Sequence, residues 1–129
     1  MLKRRKYQKK QNQPVTAVKL DLDMDTLQYR KWGGLQRAKR GDWLVDNDGD
    51  VYTVDARTFA RTYKRLRQGI YVKTTSIWAE VATQPGTIQT KEGASKYARG
   101  DYIVYNNRNG SDGYCVAAKK FRTMYKPVP

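Results

Sequence analysis

Two stretches of this chain read as copies of one another. Gly41-Asp42-Trp43-Leu44-Val45, followed by Tyr52-Thr53-Val54, Phe59 and Tyr63-Lys64, recurs as Gly100-Asp101-Tyr102-Ile103-Val104, Tyr114-Cys115-Val116, Phe121 and Tyr125-Lys126. The correspondence extends backwards, with Ala17-Val18-Lys19-Leu20 against Trp78-Ala79-Glu80-Val81 and Thr26-Leu27-Gln28 against Thr87-Ile88-Gln89. A repeat reduces the folding problem to one module and the way two modules associate. Modules of roughly 50–60 residues bury too little surface to be secure alone. A chain of 129 residues is therefore expected to form two modules packed into one compact body.

Local patterns fill in each module. Val15 to Leu22 alternates apolar and polar residues and reads as a strand, with Asp21, Asp23 and Asp25 on the opposite parity. Thr26 to Trp32 reads as a second strand, closed by Gly33-Gly34. Asp42–Val45 and Val51–Val54 flank Asn47-Asp48-Gly49, a strong hairpin signal. Asp55 is a good N-cap for a helix over Ala56 to Leu66, with Phe59 and Tyr63 sharing a face. After Gln68-Gly69 the order recurs: strands at Ile70–Thr74, Ile77–Thr83 and Thr87–Thr90, a hairpin from Tyr102 to Val116, and a helix over Ala117 to Tyr125. The expected class is α+β, each module a small antiparallel sheet with a hairpin and one helix. The expected divisions are a basic, disordered tail over 1–14, a first module over 15–68 and a second over 69–129.

The Gly-Asp-aromatic-aliphatic-Val box, with Tyr-x-Val and then Phe and Tyr on a helix, resembles the modules of bacterial and phage proteins named for a PGDYG box. Thr75 to Tyr125 is the closer match. Arg40 and Arg99 stand where the family name has Pro, and Leu44 and Ile103 replace its second Gly. The resemblance implies a module boundary and supplies no mechanism.

Several chemistries are disfavoured by residue type. The chain has no His, which removes His-based acid–base catalysis, Ser–His triads and most zinc sites. Cys115 matches Thr53 of the first copy and reads as an ordinary strand residue. Asp46, Asp48 and Asp50 mimic the start of a calcium loop, but Val51 and Arg57 stand where Gly and an acid are required. Asp42 and Asp101 are the acids repeated in both boxes. An enzyme using this pair is one reading; turn-capping carboxylates are the plainer one. Neither phosphate-loop motif occurs, and no cofactor is implied. The start of the chain has no apolar signal region, no 18-residue apolar run exists, and a single Cys suits a reducing compartment. A cytoplasmic location is expected, in the host cytoplasm if the protein is phage-encoded.

The charge is asymmetric. Of a net +14, the first 14 residues carry +6 and Val15 to Leu66 only +2. Lys3, Arg4, Arg5, Lys6, Lys9 and Lys10 are positioned to neutralise phosphates, with Tyr7 among them for stacking on a base. Arg57, Arg61, Lys64, Arg65, Arg67 and Lys73 supply a second patch. The reading is a small non-enzymatic protein that contacts RNA or DNA backbone. The alternative is a phage-type adaptor or inhibitor that binds a host nucleic-acid-handling complex. The shared aromatics are expected in the core, whereas Tyr29, Trp32, Tyr71 and Tyr97 lack repeat partners and are expected nearer the surface. Features specific to function are expected where the copies differ: the tail, the connector from Arg67 to Lys73, and the Asn/Gly-rich loop of the second copy.

Overall fold

A computed structural model describes residues 4–10 and 13–129. The strands are β1 (Arg5–Lys9), β2 (Val15–Lys19), β3 (Thr26–Lys31), β4 (Gly34–Lys39), β5 (Trp43–Asn47), β6 (Asp50–Val54), β7 (Tyr63–Arg67) and β8 (Ile70–Lys73). They continue as β9 (Ile77–Val81), β10 (Gly86–Gln89), β11 (Ala94–Tyr97), β12 (Tyr102–Tyr105), β13 (Gly113–Val116) and β14 (Tyr125–Pro127). Helix α1 (Ala56–Thr62) joins β6 to β7, and α2 (Ala118–Met124) joins β13 to β14. The fold is thus mostly antiparallel sheet with two short helices.

Two five-stranded sheets dominate, in the orders β6-β5-β2-β8-β7 and β13-β12-β9-β1-β14. The second contains the N-terminal segment. Arg5–Lys9, expected within a disordered tail, lies between β9 and β14, with Tyr7 opposite Ile77 on one side and Pro127 on the other. Likewise β8, expected to begin the second module, lies between β2 and β7 of the first sheet. The expected divisions at Pro14 and Gln68 therefore cut across both sheets.

The helices are shorter than the sequence suggests. Asp55 caps α1, its carboxylate accepting from the N–H groups of Arg57 and Thr58. Tyr63 and Tyr125 are already extended, at φ −117° and −125°, and each opens an edge strand. The aromatic spacing still serves packing. Trp43, Phe59 and Tyr63 stack in series at 4.2 and 4.6 Å, and Tyr102, Phe121 and Tyr125 at 3.9 and 4.9 Å. Tyr71 meets Phe59 edge-on at 5.0 Å, as Tyr7 meets Phe121 at 4.9 Å. Tyr71 is half-buried and packs against the core rather than standing at the surface. Burying each Phe contributes about 1.5–3 kcal/mol. These stacks complete two clusters, Val15, Ala17, Val45 and Phe59 in one and Ile77, Ala79, Val104 and Phe121 in the other.

Strand register sets the two boxed stretches side by side. Ala17 lies opposite Val45 and Ala79 opposite Val104, so Ala17 holds the place of Ala79 rather than of Trp78. The smaller hairpins β3–β4 and β10–β11 set Tyr29 opposite Gln36 and Ile88 opposite Ser95. Gln36 and Ser95 are buried polar residues, which is why neither β4 nor β11 stands out as an apolar alternation.

The Gly-Asp boxes have a mechanical explanation. Gly41 and Gly100 adopt φ of +94° and +92°, a region that a Cβ disfavours. Their N–H groups donate to the carbonyls of Leu20 and Ala82, each at 2.9 Å. The following carboxylates accept from backbone: Asp42 from Lys39 and Ala56, Asp101 from Ala98. Turn capping thus accounts for the repeated acids. Gly41→Ala is expected to cost about 1 kcal/mol or more, and Asp42→Ala about 1–2 kcal/mol because two part-buried N–H groups lose their acceptor. Urea unfolding of the two variants checks both values.

Candidate functional site

The sequence-nominated cations separate into two populations. Lys3 lies outside the described residues. Arg5, Lys6, Arg57, Arg61, Lys64, Arg65 and Arg67 are exposed. Lys64, Arg65 and Arg67 lie on β7, an edge strand continuous with α1 and its Arg57 and Arg61. Arg61 is committed to Asp112 at 3.1 Å. Arg4 is half-buried, its guanidinium 4.4 Å over the Tyr105 ring and its Nη1 donating to the Arg108 carbonyl. Lys10 donates to the Arg122 carbonyl at 3.1 Å. A parallel strip went unnoticed in the sequence: Lys119 and Arg122 of α2 and Lys126 of edge strand β14 are exposed too.

Lys9 and Lys73 are buried and Tyr7 is half-buried. Tyr7 packs on Phe121 and is not placed to stack on a base. Lys9 and Lys73 are 2% and 5% exposed. Alternation along β1 turns Tyr7 and Lys9 inward, and the register sets Lys9 opposite Tyr125 and Lys73 opposite Tyr63. A buried lysine inside a basic run carries no apolar signal, which is why the sequence read it as tail.

Both lysines line a cavity of about 280 Å³ between the sheets, together with Tyr52, Tyr63, Tyr114 and Tyr125. Lys73 Nζ donates to Asn106 Oδ1 at 2.9 Å and to the Tyr114 hydroxyl at 3.0 Å. The Tyr114 and Tyr125 hydroxyls lie 3.3 Å apart. Asn47 Nδ2 donates to the Tyr52 hydroxyl at 3.4 Å. Lys9 Nζ donates to the Gln13 carbonyl at 3.1 Å. Burial lowers Lys73 to about 7 and Lys9 to about 8, since a charged amine is poorly solvated there. Burial likewise pushes the Tyr52 phenol up to about 12 and holds those of Tyr63, Tyr114 and Tyr125 well above the ordinary value. All four phenols keep their protons at neutral pH and remain donors.

The carboxylates around the cavity are tied into the frame. Asp112 Oδ2 accepts from Thr58, Arg61 and Asn106 at 3.1–3.2 Å, linking the second-copy loop to α1. Asp50 of the first hairpin is bridged by Lys31 at 2.8 Å and by Lys120 of α2. Asp50 therefore serves as a tie between the halves. Glu92 accepts from the Asp55 N–H at 3.1 Å, and burial, reinforced by Asp55, raises its carboxyl to about 7. The Cys115 thiol is pushed up by burial, the opposite of an activated nucleophile.

Lys9, Lys73, Asn106 and Asp112 come from the N-terminal segment, the connector and the Asn/Gly-rich loop, outside the two Gly-Asp boxes. The four tyrosines were legible only as core. The distinguishing signal was chemical: both Phe residues of the chain sit at 59 and 121 in the apolar clusters, whereas the cavity positions keep a hydroxyl. Of the tyrosines and tryptophan expected nearer the surface, Tyr29 is half-buried with its hydroxyl 2.6 Å from Thr53 Oγ1, and Trp32 lies 5.9 Å from the Tyr52 ring. Tyr97 is also half-buried, against Gly86. No protein-family model, curated protein or solved structure significantly matches this chain. No helix among the described residues is long and apolar enough to cross a membrane.

Proposed function

We propose that the chain is a duplicated unit whose copies exchange their first strands, and that this body binds the phosphate backbone of nucleic acid. Kinship with PGDYG-type modules is part of the proposal and rests on the box residues alone. The observation carrying the binding reading is the state of the exposed cations. Among the described residues, no carboxylate lies in ion-pair range of Arg57, Lys64, Arg65 or Arg67 on one strip, nor of Lys119, Arg122 or Lys126 on the other. Cations left without internal partners, in a chain of net charge +14, attract polyanions.

Contacts of this kind give affinity without sequence discrimination. Anisotropy titrations with labelled RNA and duplex DNA across a salt series test the reading. Affinity is expected to fall steeply with salt, and similarly for unrelated sequences. Replacing Lys64, Arg65 and Arg67 with Gln is expected to flatten the log–log slope by about 2–3, since each lost phosphate contact removes roughly 0.7–0.9. Absence of binding at low salt, or binding indifferent to salt, would overturn it.

The adaptor reading draws on Val18 and Val51, which are 58% and 44% exposed on the first sheet. It gains ground if Val18→Ser abolishes capture of a protein partner while polyanion affinity is unchanged.

A further inference from the structure

The two basic strips attract phosphates, but phosphate contacts make no use of the bases. We propose that the outer face of the second five-stranded sheet is a stacking site for single-stranded nucleic acid, with a base on Trp78 and the adjoining phosphates on Lys6 and Lys126; this rests on the polyanion reading and specifies the strand it takes.

Strand pairing draws one row of side chains across this face. Trp78 of β9 lies opposite Lys6 of β1 on one side and Tyr105 of β12 on the other. Alternation turns the row away from the core, because the neighbouring Ile77, Ala79 and Val104 are core residues. Lys6 is exposed, and Trp78 and Tyr105 are half-buried. Lys6 Nζ lies 5.7 Å from the centre of the Trp78 ring. The Arg4 guanidinium lies 4.4 Å over the Tyr105 ring, so Tyr105 serves to hold Arg4 and Trp78 is the ring left for a base. Lys126 of β14 lies opposite Gln8, which shares the face of Lys6, and it is exposed too. The α2–β14 strip therefore runs along the border of this face.

The other large sheet shows what the fold itself requires at this row. It also has a hairpin at one edge and a helix-led strand at the other, with Ala17 opposite Val45 where this sheet has Ala79 opposite Val104. Its corresponding row is Ile70, Thr16 and Asp46. A sheet of this order is thus built with neither an aromatic ring nor a cation there. Sheet formation does not account for Lys6, Trp78 and Tyr105.

The charge of the face suits a nucleic-acid strand. Among the described residues, no carboxylate lies in ion-pair range of Arg4, Lys6 or Lys126. Glu80, the acid at the next outward position of β9, is 6% exposed and accepts from the Tyr105 hydroxyl at 3.1 Å. It is withdrawn from an incoming strand. Stacking on an indole ring tolerates any base and adds to the attraction of neighbouring cations for the backbone. The bases of a duplex are already stacked on one another, whereas those of a single strand are free to splay onto a ring.

Fluorescence titrations of the full chain test the proposal with a short oligothymidylate, an abasic strand of the same length and a duplex of the same length. The oligothymidylate is expected to bind about five-fold or more tighter than the abasic strand, the smallest gain that one stacked base implies. It is expected to quench tryptophan emission, and the abasic strand and the duplex are not. Trp78→Leu keeps an apolar side chain at this outward position. It is expected to remove the quenching and to weaken the oligothymidylate about five-fold or more, with the abasic strand unchanged. Lys6→Gln is expected to weaken both strands and to flatten the salt slope by about 0.7. The comparison of the strands on the parent chain needs no substitution, so it stays decisive if Trp78→Leu misfolds. Equal affinity for the oligothymidylate and the abasic strand overturns the stacking site, as does quenching by the duplex to the same extent or full quenching in Trp78→Leu. Each of these leaves the polyanion reading intact. Absence of binding by any of the probes at low salt overturns the polyanion reading and the site with it.

Discussion

Removal of residues 1–10 is expected to abolish cooperative folding of the second sheet, an effect far larger than any loss of polyanion affinity. β1 is an interior strand, paired with β9 and β14. Its flanks add backbone bonds, from Lys10 N–H to the Met124 carbonyl at 2.8 Å and from Val128 N–H to the Lys6 carbonyl at 3.0 Å. Deleting it strips β14 of its only partner strand among the described residues and bares one side of Phe121. The single change Tyr7→Ala isolates the packing component and is expected to cost about 2–3 kcal/mol, below the range of a fully buried aromatic because Tyr7 is half-buried, yet a sizeable share of the roughly 5–15 kcal/mol that holds a domain together. Arg5→Gln and Lys6→Gln alter exposed side chains of the same strand and are expected to stay within about 0.5 kcal/mol of the parent. Urea unfolding followed by near-ultraviolet circular dichroism distinguishes these cases. An unchanged midpoint for Tyr7→Ala would contradict the placement of β1. A truncation designed to remove a binding tail would therefore report on folding instead, and the outward-facing substitutions are the appropriate binding controls.

The second large effect concerns pH. Stability is expected to pass through a minimum near pH 7. Glu92 has its folded value raised from 4.5 to about 7, so its contribution is present below 4.5 and is lost as pH rises to about 7. Lys73 and Lys9 have folded values lowered from 10.5 to about 7 and about 8. The unfolded chain then holds protons that the folded chain has released, and stability climbs with pH above about 7. Each lysine adds up to about 1.4 kcal/mol per pH unit in that window. Cys115 and the cavity tyrosines have raised folded values, so they oppose the climb beyond their ordinary values of 9.0 and 10.0. The net rise thus begins near pH 7, slows above 9.0 and reverses above about 10, where several tyrosines oppose two lysines.

Lys73→Met removes a buried amine and keeps most of its volume. Relief from desolvation is expected to outweigh the interactions lost with the amine, those with Asn106 and Tyr114 among them, making the variant more stable than the parent at pH 7 by about 1–3 kcal/mol. The gain should shrink toward pH 9, where the parent's amine is largely neutral when folded. Urea midpoints at the two pH values measure both features. A variant less stable than the parent at pH 7 would show that the bonds made by Lys73 dominate. A gain in stability would mean that the chain keeps this lysine at a cost to its fold, as binding groups commonly are kept.

The parts legible in the sequence were those governed by local chemistry. Asp48-Gly49 sets the first hairpin turn, with the Gly49 N–H donating to Asp46 Oδ1 at 2.8 Å. Asp55 starts α1 where capping requires. The aromatic positions expected in the core join or pack against the two clusters. The parts not legible depend on partners distant in sequence. Tyr63 and Tyr125 keep helical spacing from Phe59 and Phe121 while opening strands, because their partners are β8 and β1. β4 and β11 bury Gln36 and Ser95 where a strand pattern calls for apolar residues. For the site, charge alone could not separate Lys9 and Lys73 from Arg5, Lys6 and Lys64. Only strand pairing turns the first two inward.

Amide hydrogen exchange across Arg5 to Lys9 tests the central claim, that the basic N-terminus is a structural strand rather than a free arm. The account expects the amides of Tyr7 and Lys9 to be protected as strongly as those of β9. Exchange at the rate of an unstructured peptide would contradict it, and would return the N-terminal cations to the role of a flexible polyanion-binding tail.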